Sequence, residues 1–207
     1  MPIYLQIHYE SLHYDCAPGQ PPLIGELYTE TEPVSNAALR RGHKISPSIT
    51  LNTGFNLLQT KDRRRATTDL NANRPFCLVI AFPCSVWSSL ANLTAGRDPR
   101  RRARLEQRRK VEKVLVEYAA ERATDQVLHG CHFIVENPAT SAAWRLVGKL
   151  RKMIEKAREM DLYYVKFDQC QFGLLGPGGG PHLKKTGVLT SSRCGRSPTW
   201  TSLQSRT

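Results

Sequence analysis

The chain has 207 residues, enough for one α/β domain with a sizeable core. Its hydrophobic fraction of 40% excludes an intrinsically disordered chain, and no apolar run is long enough to span a membrane. Thirty Lys and Arg residues against eighteen Asp and Glu give a formal charge of +12, which favours a polyanionic partner, nucleic acid above all.

Hydrophobic periodicity predicts an alternation of strands and helices. We expect strands at 23–28, 44–51, 76–82, 131–137, 162–169 and 186–191. We expect helices at 32–44, 57–73, 100–128 and 140–160, with a polar loop between 82 and 100 and a glycine-rich loop at 173–185.

Individual residues refine these elements. Pro33 in the first turn and Gly42 after the last turn bound the first helix. Pro47 interrupts the second strand and weakens it, and the helix at 57–73 is expected to carry Asp62 and the arginines on its exposed face. The apolar spacing from Trp144 onward predicts one continuous amphipathic helix.

Strands that alternate with helices predict parallel pairing, and therefore a doubly wound, mostly parallel Rossmann-like sheet with helices on both faces. We expect this α/β domain to cover residues 21–192, with a loosely ordered arm at 1–20 and a disordered tail at 193–207. The amino-terminal residues lack a signal-peptide pattern, and six cysteines without regular spacing favour neither disulfides nor a metal site. The expectation is a soluble, intracellular protein without a membrane or metal partner.

Two strand ends carry unusual chemistry. The strand at 76–82 is followed by Pro83-Cys84, and the strand at 131–137 ends in Glu136-Asn137-Pro138. Ligands of doubly wound sheets bind outside the carboxyl ends of the strands. If these two strands are neighbours, Cys84 and Glu136 lie at the same edge and within reach of one ligand.

A thiol and a carboxyl group together can attack an electron-poor pyrimidine ring. Backbone N–H groups and the positive end of a helix favour the thiolate of Cys84, which would add at C6. The carboxylic acid of Glu136 would assist at N3, so that C5 becomes carbanion-like and can take a methyl group. A base must leave the stack to reach such a pocket, which aromatic side chains and basic phosphate contacts assist.

The segments "AFPCSVWS" and "FIVENP", in this order and each at a strand end, resemble the Pro-Cys and Glu-Asn signatures of DNA cytosine-5 methyltransferases. The stretch "DQCQFGLLGPGGGPHLKKTGVLTS" resembles the family's later strand, glycine loop and basic residues, and "LNTGFNLL" its adenine turn. The order of "PC..WS", "ENP..S..W" and "DQC.fG" resembles divergent methyltransferase-like reading frames of retroelements even more closely. The resemblance covers about residues 23–192.

The resemblance implies S-adenosylmethionine as cofactor and a nucleic acid, DNA rather than RNA, as substrate. The cofactor-binding set that it implies is Tyr28, Glu30, Glu32, Asn56 and Pro83. The substrate-binding set is Ser85, Trp87, Ser88, Asn137, Arg100, Arg101, Arg102, Lys184 and Lys185. Trp87 and Trp144 also suit the core or a pocket wall, and Asp168 suits either the pocket or a turn.

The chain departs from the family in its first turn. The family's turn is glycine-rich, whereas Thr29-Glu30-Thr31-Glu32-Pro33 contains no glycine and carries two carboxylates. Such side chains would crowd the cofactor, although Glu30 or Glu32 could instead meet its ammonium group. There is also little room for a separate target-recognition domain after the glycine-rich loop.

The stretch 97–110 holds eight basic and two acidic residues and supports two interpretations. It can contact phosphates, or it can be the solvated face of a helix. Two functions of different class are therefore predicted: a cysteine-dependent cytosine-C5 methyltransferase, or a catalytically silent, basic nucleic-acid-binding module of a mobile element. An oxidoreductase has no support, because no GxGxxG follows the first strand.

Overall fold

The computed structural model describes residues 23–29, 32–173, 175–176 and 178–191. The predicted arm at 1–20 and tail at 193–207 lie outside the described residues. The strands are β1 (Leu23–Leu27), β2 (Lys44–Ile45), β3 (Cys77–Ile80), β4 (His132–Pro138), β5 (Tyr163–Asp168) and β6 (Lys185–Thr190). The helices are α1 (Pro33–Arg40), α2 (Thr60–Asn73), α3 (Ser89–Ala95), α4 (Pro99–Leu128), α5 (Ala143–Leu146) and α6 (Gly148–Glu155).

The six strands form one sheet in the order β2-β1-β3-β4-β6-β5. β1 pairs in parallel with β2 and β3, and β3 pairs in parallel with β4, whereas β6 runs antiparallel between β4 and β5. The prediction of a mostly parallel, doubly wound α/β sheet is confirmed. The general expectation of parallel pairing is wrong for β6, which returns after the glycine-rich loop to fill the gap between two parallel strands.

Two apolar cores lie on opposite faces of the sheet. On the larger face, residues such as Leu78 and Phe133 pack with Ala66 of α2, Ala119 of α4 and Leu150 of α6. On the smaller face, strand residues pack with Ala38 of α1. Side chains alternate between the two faces along each strand, which explains why the strand segments are apolar at nearly every position.

Most helix positions agree with the sequence, but three details do not. The polar loop after β3 contains α3, which begins with Ser88 as its side-chain N-cap. The single amphipathic helix predicted at 140–160 is two helices, α5 and α6, because Val147 adopts an extended conformation with its side chain fully buried. Asp62 is buried rather than exposed, because its carboxylate accepts a hydrogen bond from the Asn56 N–H at 3.0 Å.

None of the helices in the described part of the chain combines the length and the apolarity needed to cross a bilayer.

Candidate functional site

The segments that follow β3 and β4 are joined directly. The register pairs Ile80 with Val135, so the chain leaves β3 next to the last residues of β4, which include Glu136 and Asn137. Asn137, which is 1% exposed, donates from Nδ2 to the carbonyl of Phe82 at 2.9 Å. The N–H of Ala142 donates to the carbonyl of Trp87 at 2.7 Å. The structure thus brings the Pro-Cys and Glu-Asn segments to the same edge of the sheet.

Cys84 and Glu136 differ in their environments. The thiol of Cys84 is free and exposed. Glu136 is mostly buried, and this burial raises the pKa of its carboxyl group, an effect that nearby Lys184 partly offsets. The Oε1 atom of Glu136 is buried and accepts no hydrogen bond from the described residues. The edge therefore combines an accessible nucleophile with a carboxyl group that keeps its proton to a higher pH than an exposed glutamate.

The turn after Cys84 divides its residues between surface and core. Ser85 is exposed, and Ser88 accepts a hydrogen bond from the Ala91 N–H as the cap of α3. Trp87 is only 3% exposed and lies beneath the guanidinium of Arg109, 5.8 Å from the ring centroid. Its enclosed ring is a core element and presents no face on which a base could stack. Trp144 is likewise buried, and its Nε1 donates to the Pro138 carbonyl.

The turn between β1 and α1 is built differently from a glycine turn. Tyr28 follows the last residue of β1 with φ of 74°, a left-handed conformation that non-glycine residues seldom adopt. Its hydroxyl donates to the carbonyl of Leu115 in α4 at 2.7 Å, and desolvation by burial raises the pKa of Tyr28 well above 10.0. The predicted cofactor residue Tyr28 therefore links β1 to α4.

A buried carboxylate that the sequence analysis missed completes this turn. Glu26 of β1 is 1% exposed and accepts hydrogen bonds from the Val34 and Ser35 N–H groups at 3.2 and 2.7 Å. It caps α1 in place of Glu32, whose side chain makes no cap hydrogen bond and whose φ is 47°. Two features of the sequence could have predicted this role for Glu26. It is a charged residue inside the apolar run "LIGEL", and the helix that follows has no Ser, Thr, Asp or Asn at its N-cap position.

The other predicted cofactor residues are spread over the surface. Asn56 is exposed, and its Oδ1 accepts a hydrogen bond from the Leu58 N–H within its own turn. Pro83 is exposed beside Cys84. Glu30 lies outside the described residues.

The basic stretch forms the first half of α4. Between Pro99 and Lys113 no residue is buried, and the first buried position of the helix is Leu115. Arg101 and Arg108 form ion pairs with Asp98 and Glu112. Other cations of this stretch are exposed, and their side chains make no hydrogen bond or ion pair with the described residues. They are Arg97, Arg100, Arg104 and Lys110. We call 97–113 the basic arm.

The basic arm is anchored next to the Cys84 turn. Arg109 donates from Nε to the Val86 carbonyl at 2.9 Å and from Nη2 to Oδ1 of Asn92 in α3 at 2.7 Å. Arg102 donates to the Gly96 carbonyl between the two helices. At 1.5 Å per residue the 30-residue α4 is about 45 Å long, and its first half, with the exposed cations, lies against α3 and the turn after Cys84.

A second group of polar residues lies at the ends of β5 and β6. Lys185 is exposed at the start of β6, and Lys184 is partly buried. Asp168 at the end of β5 makes no side-chain cap bond, and its Oδ1 is buried without a hydrogen-bond partner in the described region. Gln169 donates to Oγ1 of Thr186 at 2.9 Å, which holds the end of β5 against β6.

No protein-family model and no curated protein matches the sequence. Among solved structures, the S. pombe Dnmt2 methyltransferase aligns over 82% of this chain at 8% identity, with a TM-score of 0.44. The chain spans about half of that enzyme, 49% of its length. An identity and a TM-score this low carry no functional argument, so the site must be judged by its own geometry.

The described residues at the two ends of the β1–α1 turn do not fit the amino-acid end of S-adenosylmethionine. Tyr28 keeps a side chain at φ of 74°, at the end of β1 where the resembled family has a glycine-rich turn. The N–H groups of Val34 and Ser35 at the start of α1, which could otherwise meet the cofactor's carboxylate, are bonded to Glu26.

Proposed function

We propose that this protein binds nucleic acid through the basic arm. The observation that carries the proposal is the set of unpaired, exposed cations of the basic arm, in which no residue is fully buried and only Leu105 packs against the core. A helix that only needed a solvated face would gain from ion pairs, such as those of Arg101 and Arg108. Cations without partners are instead available for phosphates, whose contacts dominate nucleic-acid affinity.

The position of the arm supports the same proposal. Arg100 and Arg104 are one helical turn apart, about 6 Å along the axis, which is similar to the spacing of successive phosphates. Because Arg109 ties the arm to the turn after Cys84, a strand lying along the arm would pass the edge that carries Cys84 and Glu136. The resemblance to retroelement reading frames fits a module that a mobile element carries, with DNA as the partner.

The test is fluorescence anisotropy with a single strand and a duplex of about 20 nucleotides. The arm variant carries Arg97→Gln, Arg100→Gln and Arg104→Gln. A matched control carries Lys152→Gln, Lys156→Gln and Arg158→Gln, which removes the same charge from α6 and the turn after it. We expect the arm variant to lose at least about tenfold in affinity and the control less than about twofold. Equal losses would mean that net charge, and not the arm, determines binding.

A second candidate function is pyrimidine chemistry of the cytosine-5 type at Cys84 and Glu136. The specific observation in its favour is that Glu136, whose pKa burial raises, lies at the same edge of the sheet as the exposed thiol of Cys84. As the Cys84 thiolate forms its bond to C6, Glu136 gives its proton to N3 and the C5=C6 electron pair moves to C5. C5 then takes a proton from water. Transfer of the original C5 hydrogen to water, return of the N3 proton to Glu136 and departure of the Cys84 thiolate restore the aromatic ring.

This candidate can be tested without a methyl donor. The protein is incubated in D₂O with a cytosine-containing single strand, and deuterium at cytosine C5 is measured by mass spectrometry after digestion. Catalysed exchange is expected for the parent chain and none for Cys84→Ser. Exchange at the same rate in both proteins, or in neither, would contradict covalent addition by Cys84.

A further inference from the structure

The position of Tyr28 in the sheet points to a closed ligand crevice. The chain leaves β1 toward β2 on one side, and β3 lies on the other side, so the strand order reverses between β1 and β3. In doubly wound sheets this switch point is where ligands bind, outside the carboxyl ends of the strands. Tyr28 is the first residue after β1 at this point, and its hydroxyl is bonded to Leu115 in α4, which packs over β3 and β4.

The backbone around the switch point offers few free groups. The N–H of Tyr28 donates to the Ile49 carbonyl at 3.0 Å, and the N–H of Ala81 donates to the Leu27 carbonyl at 3.1 Å. The edge of β1 therefore stays bonded to both of its neighbours up to its last residue. A ligand at this point would therefore find the Tyr28 N–H and the Leu27 carbonyl already bonded within the protein.

The start of α1 offers no free donor to an anionic group. Pro33, the first helical residue, has no N–H, and the next two N–H groups are bonded to Glu26. The N–H of Asn36 donates to the Glu32 carbonyl at 3.0 Å. A helix N-terminus normally attracts carboxylates and phosphates, but here the protein's own carboxylate occupies that position.

We infer that Tyr28 and Glu26 together close this crevice, so that the protein takes neither S-adenosylmethionine nor any ligand with a carboxylate or phosphate at the start of α1. Two residues of this region, Tyr28 and Glu32, have a positive φ in the left-handed region. Glycine would adopt this conformation without strain, whereas residues with a side chain adopt it at a conformational cost. Binding of nucleic acid by the basic arm is independent of this closure.

The first experiment is titration calorimetry of the complete chain with S-adenosylmethionine up to about 1 mM, with folding checked by circular dichroism. We expect no binding by the parent chain. Micromolar binding by the parent chain would overturn the inference. Fluorescence anisotropy on the same samples measures nucleic-acid binding by the basic arm. The two measurements are separate, so a failure of the closed crevice is distinguishable from a failure of nucleic-acid binding.

Variants at Tyr28 test the cause of the closure. Tyr28→Gly accepts the positive φ and removes the ring, and Tyr28→Asn does the same with a smaller loss of packing if the glycine variant does not fold. Either folded variant is expected to gain measurable affinity for S-adenosylmethionine. Tyr28→Phe is the matched control, because it keeps the ring and should stay unable to bind. Failure of both folded opening variants to gain affinity would show that Tyr28 does not close the crevice.

Discussion

The pairing of arginines along the basic arm gives a quantitative prediction about salt dependence. Arg100 and Arg104 have no ion-pair partner within the described residues, whereas Arg101 and Arg108 face Asp98 and Glu112 at 3.4 and 3.3 Å. Each phosphate contact contributes about 0.9 to the slope of log K against log salt for duplex DNA, and about 0.7 for a single strand. Replacing Arg100 and Arg104 by Gln should therefore lower the slope by about 1.8 or about 1.4.

The double variant Arg101→Gln/Arg108→Gln is the matched control. Both double variants remove two charges from the formal +12 and leave +10, so an effect of net charge alone would be the same in each. A carboxylate beside each paired arginine already offsets its charge. We therefore expect the slope of the control to decrease by less than about half as much as the slope of the Arg100/Arg104 variant. The measurement is anisotropy at several salt concentrations below about 0.3 M. A control slope that falls as far as the test slope would refute the assignment of phosphate contacts to unpaired arginines.

Three further predictions concern the site and its support. Gly187→Ala should destabilise the fold by about 1–3 kcal/mol, because an added Cβ would lie 3.0 Å from the Tyr164 hydroxyl and 3.2 Å from Nε1 of Trp144. Urea unfolding measures the loss, and an unchanged midpoint would show that the two rings move aside. Burial raises the pKa of Glu136, so folding favours its neutral form, and the resulting stability is present at low pH and is lost as pH rises through the raised pKa. Glu136→Gln is neutral throughout, so its stability relative to the parent should be greater at about pH 7.5 than at about pH 4; a constant difference would contradict the raised pKa. Asn137→Ala should lower the free energy of unfolding by about 1–3 kcal/mol, because the buried Phe82 carbonyl loses its hydrogen-bond donor. Urea unfolding measures this loss, and an unchanged midpoint would mean that water replaces the donor.

The sequence predicts those parts of the fold that local chemistry determines. Pro33 at the first position of α1 and the positive φ of Gly42 follow from the restrictions on proline and the freedom of glycine. The meeting of the segments after β3 and β4 follows from two apolar strands joined by a long helix, since such a connection makes neighbours parallel. The cysteine and glutamate could therefore be placed at one edge without coordinates.

Other features depend on contacts that are remote in the sequence. The apolar spacing continues through Val147, so nothing in the periodicity reveals that this residue is extended and divides α5 from α6, although Gly148 beside it is a hint. Buried Asp62 accepts a hydrogen bond from the Asn56 N–H and forms an ion pair with Arg65, contacts that the helical pattern does not reveal. The bond from Tyr28 to Leu115 joins residues 87 positions apart, and no local pattern predicts it.

The antiparallel strand β6 has a consequence for how the chain folds. β6 is the bonded neighbour of both β4 and β5, and its register joins Ile134 to Thr190, 56 residues later. A growing or truncated chain that stops in the glycine-rich loop would leave β5 without its neighbour and one side of β4 open, both of which invite aggregation. Completion of the described sheet therefore requires β6, and pairing over such a separation predicts slow folding, with β6 among the last of the described strands to pair.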